Sequence, residues 1–323
     1  MASSTVHATR NTQHASFRQI VSTYGVYISL ALLLVAAAVI TPSMYSGNTL
    51  FLILRQASQL GLVAIGQTLV MLVSGLDLSV TGVIVLTSVV IAEVGNGQNS
   101  LILPGVLLSL GLGVLVGLGN GWLVTKRNVP PFVATLGTLV LIRGAQLAYT
   151  KGIPSGQVPP GMGVLSASVG PFPLSFLLWV LITAVLGYIL YATPYGRRIY
   201  ALGSNREAAR LSGVAVEPLL FSAYILCSLL AVLAGIVLTG YVGYVDRYLG
   251  RGFDLDSITA AVVGGTAFTG GRGNLLGTMA GVLLVQFLSS WLLVLGLDVQ
   301  VQLIVKGLVV VAAVALYAGF ARE

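Results

Sequence analysis

The stretch GLVAIGQTLVMLVSGLDLSVTGVIVLTS, residues 61–88, is apolar along almost its whole length and contains one charged residue, Asp77. A carboxylate at membrane depth costs about 2.5–3.5 kcal/mol even on lenient insertion scales, so it is rare there. Gly75 and Ser79 flank it, and this pattern predicts an interrupted helix, which membrane proteins tolerate where the backbone lines a cavity or packs against protein. The stretch therefore predicts two membrane-embedded segments separated by a break near residue 77.

The composition of the whole chain agrees with a membrane location. Of its 323 residues, 56% are hydrophobic and 8% are charged, whereas soluble domains carry about 25% charged residues. The 40 glycines fit closely packed membrane helices. The net charge of +7 comes from basic residues between apolar runs, which favours orientation by the positive-inside rule over nucleic-acid binding. The fold class we predict is all-α and polytopic.

Apolar runs long enough for a bilayer core, about 20 residues each, divide the chain further. We expect about ten transmembrane helices, some short or broken at glycine, in a single membrane domain over residues 24–320. A polar cytoplasmic tail, residues 1–23, precedes it, and the long polar lead favours a retained first helix over a cleavable signal peptide. The predicted spans are residues 24–41, 58–74, 79–94, 104–124, 131–149, 174–193, 218–240, 257–270, 275–296 and 300–319.

The basic residues predict the orientation of these spans. With the N-terminus inside, ten arginines and lysines fall on the cytoplasmic side and four on the outer side, which supports an even number of crossings with both termini cytoplasmic. The cytoplasmic set is Arg10, Arg18, Lys126, Arg127, Arg197, Arg198, Arg206, Arg210, Arg272 and Arg322. The outer set is Arg55, Lys151, Arg247 and Arg251.

Several kinds of chemistry are not supported by the sequence. The nucleotide-binding pattern G-x-x-x-x-G-K-[ST] is missing, and the nearest stretch, GGTAFTGGRGN at 264–274, has glycines that suit a tight turn or close helix contact. His7 and His14 lie in the polar tail and Cys227 is the one cysteine, so no metal cluster, disulfide or catalytic triad is expected. The chain is therefore predicted not to be an enzyme and to hold no cofactor itself.

Three motifs resemble the permeases of ATP-binding cassette sugar importers of the ribose/xylose/arabinose type. They are the Gly-Leu-Asp-Leu-Ser turn at 75–79, the basic stretch GRRIYALGSNREAARLSGV at 196–214 and the segment DLDSITAAVVGGTAFTGGRGNLLGTMAGVLL at 254–284. The resemblance covers residues 45–318. Two features depart from the family pattern: Gln67 stands where many members carry methionine, and the outer segment 241–253, YVGYVDRYLGRGF, is unusually aromatic and charged. This second departure leaves the identity of the solute and of the partners open.

The resemblance implies that the cytoplasmic loop 194–217 contacts a separate ATPase through a helix within 197–213. The residues themselves favour a short helix there, with Ser204 or Asn205 as its cap, Glu207 in its first turn and Gly213 as its stop. The alternative is a charged linker that only enforces topology. The candidate coupling residues are Arg197, Ser204, Asn205, Glu207, Ala208, Ala209, Arg210 and Gly213.

A second set of candidates, Gly75, Asp77, Ser79 and Lys306, is assigned to the translocation path or its gate. Asp77 either shapes the path or caps the next helix through Ser79, and both roles can hold together. Lys306, inside the last span, is expected to pair with a carbonyl or with a carboxylate such as Asp298. Arg143, inside the fifth span, is expected to reach the outer interface.

The resemblance implies a permease subunit in the bacterial inner membrane that moves a monosaccharide or related small polar solute. Its implied partners are a cytoplasmic ATPase that binds ATP and Mg²⁺, a periplasmic solute-binding protein, and a second permease copy or paralogue in the lipid bilayer; nucleic acid is not among them. The alternative is a self-sufficient secondary transporter or channel, for which the membrane-depth ionisable residues are few.

Overall fold

A computed structural model of the chain describes residues 24–152, 155–308 and 311. The predicted tail, residues 1–23, and most of the last predicted span lie outside these residues. The helices are α1 (Tyr24–Ile40), α2 (Gly47–Leu72), α3 (Val80–Gly95), α4 (Ile102–Lys126), α5 (Pro131–Thr150), α6 (Leu174–Ala192), α7 (Pro194–Ser204), α8 (Arg206–Leu211), α9 (Val216–Val242), α10 (Phe253–Val263), α11 (Leu275–Val294) and α12 (Val299–Leu308). Two short strands, β1 (Ser168–Val169) and β2 (Phe172–Pro173), form an antiparallel pair.

Each of the ten predicted spans overlaps one of these helices, and the protein is all-α and polytopic. Within the described residues, six helices are long and apolar enough to cross a membrane: α2, α4, α5, α6, α9 and α11. Helices α1, α3 and α12 are apolar but shorter, and α10 has 11 residues, which is about 16 Å against a bilayer core of about 30 Å. Ten complete crossings therefore stay a prediction.

Helices α2 and α9 form the centre of the protein. Every residue of α2 from Ala57 to Leu72 is buried, and α9 is buried along most of its length. Helix α4 packs on α9 through Gly113, Gly117 and Gly121, where an added Cβ would meet α9 atoms at 2.6–2.9 Å. Small residues repeated every four positions allow two membrane helices to approach closely. This packing fixes the position of α4 beside the interrupted segment.

The two ends of the bundle differ in charge. Residues around α7 and α8 gather at one end, which we call the α8 end, together with the start of α5, the end of α2 and the loop before α11. The basic residues predicted to be cytoplasmic, insofar as they are described, belong to this end. Those predicted to be outer belong to the opposite end, where Arg55 donates to the Ser166 carbonyl at 3.2 Å.

Two interruptions lie at the α8 end. The first separates α2 from α3 at residues 73–79, and the second separates α10 from α11 at residues 264–274. Helix α2 begins at Gly47 rather than near residue 58, because Ser46 caps it by accepting from the Thr49 N–H. The predicted eighth span, 257–270, is wrong at its end: α10 stops at Val263, and the glycine-rich stretch that follows forms turns with positive φ angles.

Candidate functional site

The first interruption is created by the backbone at Ser74. Ser74 has a φ of +62°, its N–H donates to the Met71 carbonyl, and the Gly75 N–H donates to the Val70 carbonyl. These two bonds form a Schellman motif, in which glycine normally occupies the left-handed position. The Ser74 hydroxyl explains the exception, because it donates to the Thr269 carbonyl at 2.7 Å. Ser74 therefore ends α2 and joins it to the second interruption.

Gly75 is required for close packing and not for a left-handed backbone conformation. Its φ is not positive, but an added Cβ would lie 2.7 Å from the Tyr224 hydroxyl and 2.8 Å from a Val70 methyl group. Tyr224, on α9, is fully buried. Gly75 thus allows the interrupted backbone to pack directly on α9.

Asp77 lies at the centre of a buried polar network. Its Oδ1 accepts from the Ser79 N–H at 2.9 Å and from the Ser79 hydroxyl at 2.5 Å. The Asn120 amide of α4 donates to the Ser79 Oγ at 2.9 Å, and the Thr138 hydroxyl of α5 donates to the Asn120 Oδ1 at 2.6 Å. The network therefore links α3, α4 and α5 to the first interruption.

Asp77 is itself fully buried, and its Oδ2 has no hydrogen-bond partner among the described residues. Gln67, also buried, holds the backbone of Asp77 from α2: its amide donates to the Asp77 carbonyl at 3.1 Å and accepts from the Asp77 N–H at 3.3 Å. Asp77 contacts Ser79, the residue that precedes α3, but accepts from no amide within α3, so the capping role stays a prediction. The unpartnered oxygen leaves room for a role in the path, which stays a prediction.

The basic stretch at residues 196–214 forms two helices rather than one. Helix α7 ends at Ser204, and Asn205 has extended backbone angles. The Asn205 side chain accepts from the N–H groups of Glu207 and Ala208 at 3.0 and 2.9 Å. Asn205 is therefore the cap of α8, and Ser204 is not, because its hydroxyl instead donates back to the Tyr200 carbonyl at 2.9 Å.

Helix α8 ends at Leu211, and Gly213 stops it as predicted. Gly213 has a φ of +78°, its N–H donates to the Arg210 carbonyl, and the Val214 N–H donates to the Ala209 carbonyl, which is a second Schellman motif. Ala209 packs inward, while the other residues of α8 are exposed, with Leu211 at 81%. The Arg210–Glu207 pair is 3.8 Å long and exposed, so it contributes little stability. The helix is fixed by its caps and presents its surface to solvent.

Helix α7 is packed directly on both interruptions. An added Cβ at Gly203 would overlap the Leu72 carbonyl oxygen and the Gly271 amide nitrogen, and the Gly271 N–H donates to the same Leu72 carbonyl at 3.0 Å. The Tyr200 hydroxyl donates to the Gly273 carbonyl at 2.8 Å. Burial raises the pKa of Tyr200, so this phenol stays protonated and remains a donor at neutral pH.

Two predicted site residues, Arg197 and Lys306, lie away from the contact between α7 and the two interruptions. Arg197 is exposed on α7 and lines a groove with Tyr188 and Tyr191 of α6. Lys306 of α12 donates to the Asp256 carboxylate of α10 at 3.0 Å. Lys306 therefore pairs with a carboxylate as predicted, but the partner is Asp256 and not the suggested Asp298. The ion pair of Lys306 and Asp256 joins α12 to α10 and lies apart from the Asp77 network.

Sequence reasoning missed several residues of the site. Asn120 was detectable, because it is a lone amide within the apolar run of α4. Gln67 departs from the family pattern, but the sequence does not reveal that it binds the backbone of Asp77. Ser74, Tyr200 and Leu211 gave no such signal, since their importance depends on contacts or exposure that only the fold defines.

A separate cavity of about 410 Å³ opens toward the opposite end, between α3, α5 and the loop before α10. Its polar lining includes Arg143, Arg247, Arg251, Gln146 and Thr81. The guanidinium carbons of Arg247 and Arg251 lie 5.0 and 5.7 Å from the centre of the Tyr248 ring. Arg143, predicted to reach the interface, is exposed on the cavity wall.

The chain resembles known transport permeases over most of its length. The family model described as branched-chain amino acid transport system / permease component matches residues 49–314. The ribose import permease protein RbsC of Bacillus subtilis strain 168 is 36% identical over 93% of this chain and 94% of its own length. RbsC of Escherichia coli K12 is 38% identical over 89% and 91%, and the fructose import permease protein FrcC of Rhizobium meliloti is 36% identical over 90% and 83%. No solved structure matches the chain significantly.

Proposed function

The chain belongs to the family of branched-chain amino acid transport system permease components, and from this premise we propose that, as a permease subunit of an ATP-binding cassette importer, it moves a monosaccharide or related small polar solute across the bacterial inner membrane. The relatives named for ribose and fructose import support the solute class. The match covers nearly the whole length of this chain and of the ribose relatives, so the likeness extends to the complete membrane domain.

The import permease relatives support the proposed partners, and the sequence, which has no nucleotide-binding motif, supports a separate ATPase among them. A separate ATPase binds ATP and Mg²⁺ and docks on α7 and α8, and a periplasmic binding protein delivers the solute to the opposite end. A second permease copy or paralogue completes the pathway. The concentration of basic residues at the α8 end supports a cytoplasmic position for that end and for both termini.

The observation that carries this proposal is the contact of Gly203 with Leu72 and Gly271. Helix α8, capped at both ends and exposed, is joined through α7 to the two loops that interrupt the membrane helices. Because the backbones touch without an intervening side chain, a displacement of α7 has to move the end of α2 or the loop before α11. Interiors packed this closely transmit strain rather than absorb it.

The first interruption is suited to respond to such a displacement. Residues 73–79 are not helical, and their polar groups are held by side chains of α2, α4 and α5 rather than by a continuous backbone ladder. A shift of α2 relative to α4 exchanges these hydrogen bonds without breaking a helix. In this mechanism the permease performs no chemistry on the solute, and its gate opens by rearrangement of the Asp77 network.

Uptake by membrane vesicles that contain the whole transport system tests the proposal. Vanadate should stop uptake, and collapse of the ion gradients should leave it intact; the reverse result would identify a secondary transporter. Replacing Glu207 and Arg210 together by alanine should abolish uptake while the amount of inserted permease stays unchanged. Arg127→Gln, which removes a charge at the same end outside α8, serves as the control and should transport normally.

A further inference from the structure

The cavity at the opposite end is not explained by the coupling mechanism, and its lining is unusually basic. We propose that this cavity binds the acidic group of a small solute, a carboxylate or a phosphate, through Arg143, Arg247 and Arg251. The inference rests on the proposed function, since it names the class of solute that this permease accepts. It also accounts for the aromatic and charged segment 241–253, which departs from the family pattern.

The charge of the lining favours an anion. Three guanidinium groups line the cavity, no carboxylate does, and none of the three takes part in an ion pair within the described residues. Asp246, the acidic residue nearest in sequence, accepts from the Tyr248 N–H at 2.8 Å. Guanidinium groups match carboxylate and phosphate geometry in a bidentate manner. An acidic group would therefore find uncompensated donors here.

Two of the arginines are held in place by an aromatic ring. Tyr248 lies on the same loop as Arg247 and Arg251, and the guanidinium groups of both arginines lie near its ring. Leu249 of the same loop is buried, and an added Cβ at Gly250 would lie 3.0 Å from Ile84 of α3. The loop is thus anchored against α3, and its exposed arginines line the open side of the cavity.

The depth of the cavity favours a small solute over a docked protein. Arg143 precedes the end of α5 at Thr150 by about 10 Å of helix rise. The α3 residues of the lining extend from Val89 to Thr81, about 12 Å along the helix axis. An arginine at such depth is functional or paired in most membrane proteins. The volume of about 410 Å³ falls within the range of small-molecule sites.

Thr81 supplies an independent indication of a ligand. It lines the deep part of the cavity, it is 2% exposed, and its Oγ1 has no hydrogen-bond partner among the described residues. Buried hydroxyl groups normally have a partner. Gln146, by contrast, already donates to the Gly82 carbonyl at 3.2 Å. A solute held at the arginines and extending inward would give the Thr81 hydroxyl its missing partner.

Binding to the purified full-length protein in nanodiscs of uncharged lipid tests the inference, with ribose, ribonate and ribose 5-phosphate as probes. Saturation-transfer NMR should detect ribonate or ribose 5-phosphate, and ribose should bind at least about tenfold more weakly, since a charge-assisted hydrogen bond is roughly twice as strong as a neutral one. Which of the two anions binds more tightly distinguishes a carboxylate from a phosphate site.

Variants locate the site and control for folding. Arg247→Gln with Arg251→Gln should lose anion binding, the corresponding double lysine variant should retain most of it, and Thr81→Val should weaken it. Arg127→Gln should bind as the unaltered protein does. Equal or tighter binding of ribose, or anion binding unaffected by the glutamine variant, overturns the inference. So does a glutamine variant that loses only its affinity for the periplasmic binding protein, because the arginines would then serve protein docking.

The anion-binding experiment and the uptake experiment can fail independently of each other. If the anions bind as expected but vesicle uptake does not require ATP, the proposed function fails and the anion site stands. If uptake requires ATP but the anions do not bind, the importer stands and this inference fails.

Discussion

Ser74 and Thr269 connect the two interruptions of the membrane domain, with the Ser74 hydroxyl donating to the Thr269 carbonyl at 2.7 Å. These residues are 195 positions apart in the chain. Ser74 occupies a left-handed backbone position that favours glycine, so its side chain is retained against a conformational cost. The contact makes the end of α2 and the loop before α11 move as one body.

Ser74→Gly separates the conformational role of this residue from its hydrogen bond. Glycine relieves a left-handed strain of about 1 kcal/mol but removes the bond to Thr269, which contributes a similar amount. We expect thermal stability in detergent to change little, and ATP-driven uptake to fall several-fold, because only the bond from the Gly271 N–H to the Leu72 carbonyl then joins α2 to the loop.

Ser289→Ala is the matched control, since the Ser289 hydroxyl donates only to the Val285 carbonyl of its own helix. Its uptake should equal that of the unaltered protein. Full uptake by Ser74→Gly would show that the contact to Thr269 is not needed for coupling.

Gly203→Ala tests the contact between α7 and the interruptions. An added methyl group overlaps backbone atoms of Leu72 and Gly271, which cannot move as a flexible side chain can. We expect a destabilisation of about 1–3 kcal/mol from overpacking, together with loss of uptake. Gly111→Ala in α4, where no atom lies within 4 Å of an added Cβ, should be neutral or slightly stabilising in the same thermal and uptake assays.

Much of this architecture could be predicted from the sequence. The positions of the helices, the break near Asp77 and the end of α8 at Gly213 follow from hydrophobic run length, from the cost of a membrane carboxylate and from the backbone freedom of glycine. These are local signals, and each depends on residues within a few positions of the feature. They predicted an interrupted span and a short helix before Gly213 correctly; the cytoplasmic position of that helix stays a prediction.

The features that failed depend on contacts distant in sequence. Asp256 and Lys306 are separated by 50 positions, and nothing in the local pattern distinguishes Asp256 from Asp298, which is nearer to Lys306 along the chain. Likewise, Ser204 and Asn205 are both good capping residues. The choice of Asn205 depends on where α7 ends, and this is set by the packing of Gly203 against Leu72.

Asp77→Asn tests whether the network needs a charge. Asparagine keeps an oxygen that accepts from Ser79 but removes the carboxylate whose Oδ2 is unpartnered. We expect membrane abundance to remain close to normal and uptake to fall more strongly. If abundance falls in proportion to uptake, Asp77 acts only as a cap. Asn120→Leu should lower stability by about 1–2 kcal/mol, because it removes the bonds to Ser79 and Thr138 and leaves their hydroxyl groups only the bonds to Asp77 and to the Ala134 carbonyl.

The pair of Lys306 and Asp256 joins α12 to α10, and a double-mutant cycle measures its contribution. The side chains are only 22% and 24% exposed, so removing one partner leaves a poorly solvated charge. Lys306→Met and Asp256→Leu should each destabilise the protein, and the double variant should be less destabilised than the sum. Additive effects in thermal unfolding would show that the pair contributes nothing to stability. A loss of uptake at unchanged stability would support the predicted role of Lys306 in the translocation path.

Leu211 offers the sharpest test of the docking surface. It is 81% exposed on a helix that is otherwise polar or small on its outer side, and it follows Glu207 and Arg210, so it can serve as an apolar anchor for the ATPase. Because it contacts so little of its own chain, Leu211→Ser should change stability by no more than about 0.5 kcal/mol. Co-purification of the ATPase and vanadate-sensitive uptake should both fall several-fold, since full burial of a leucine side chain in an interface contributes about 1.5–3 kcal/mol. Ser212→Ala, one residue further along and also exposed to solvent, should leave both measurements unchanged. A Leu211→Ser protein that retains the ATPase at normal levels would show that the partner binds elsewhere on the α8 end.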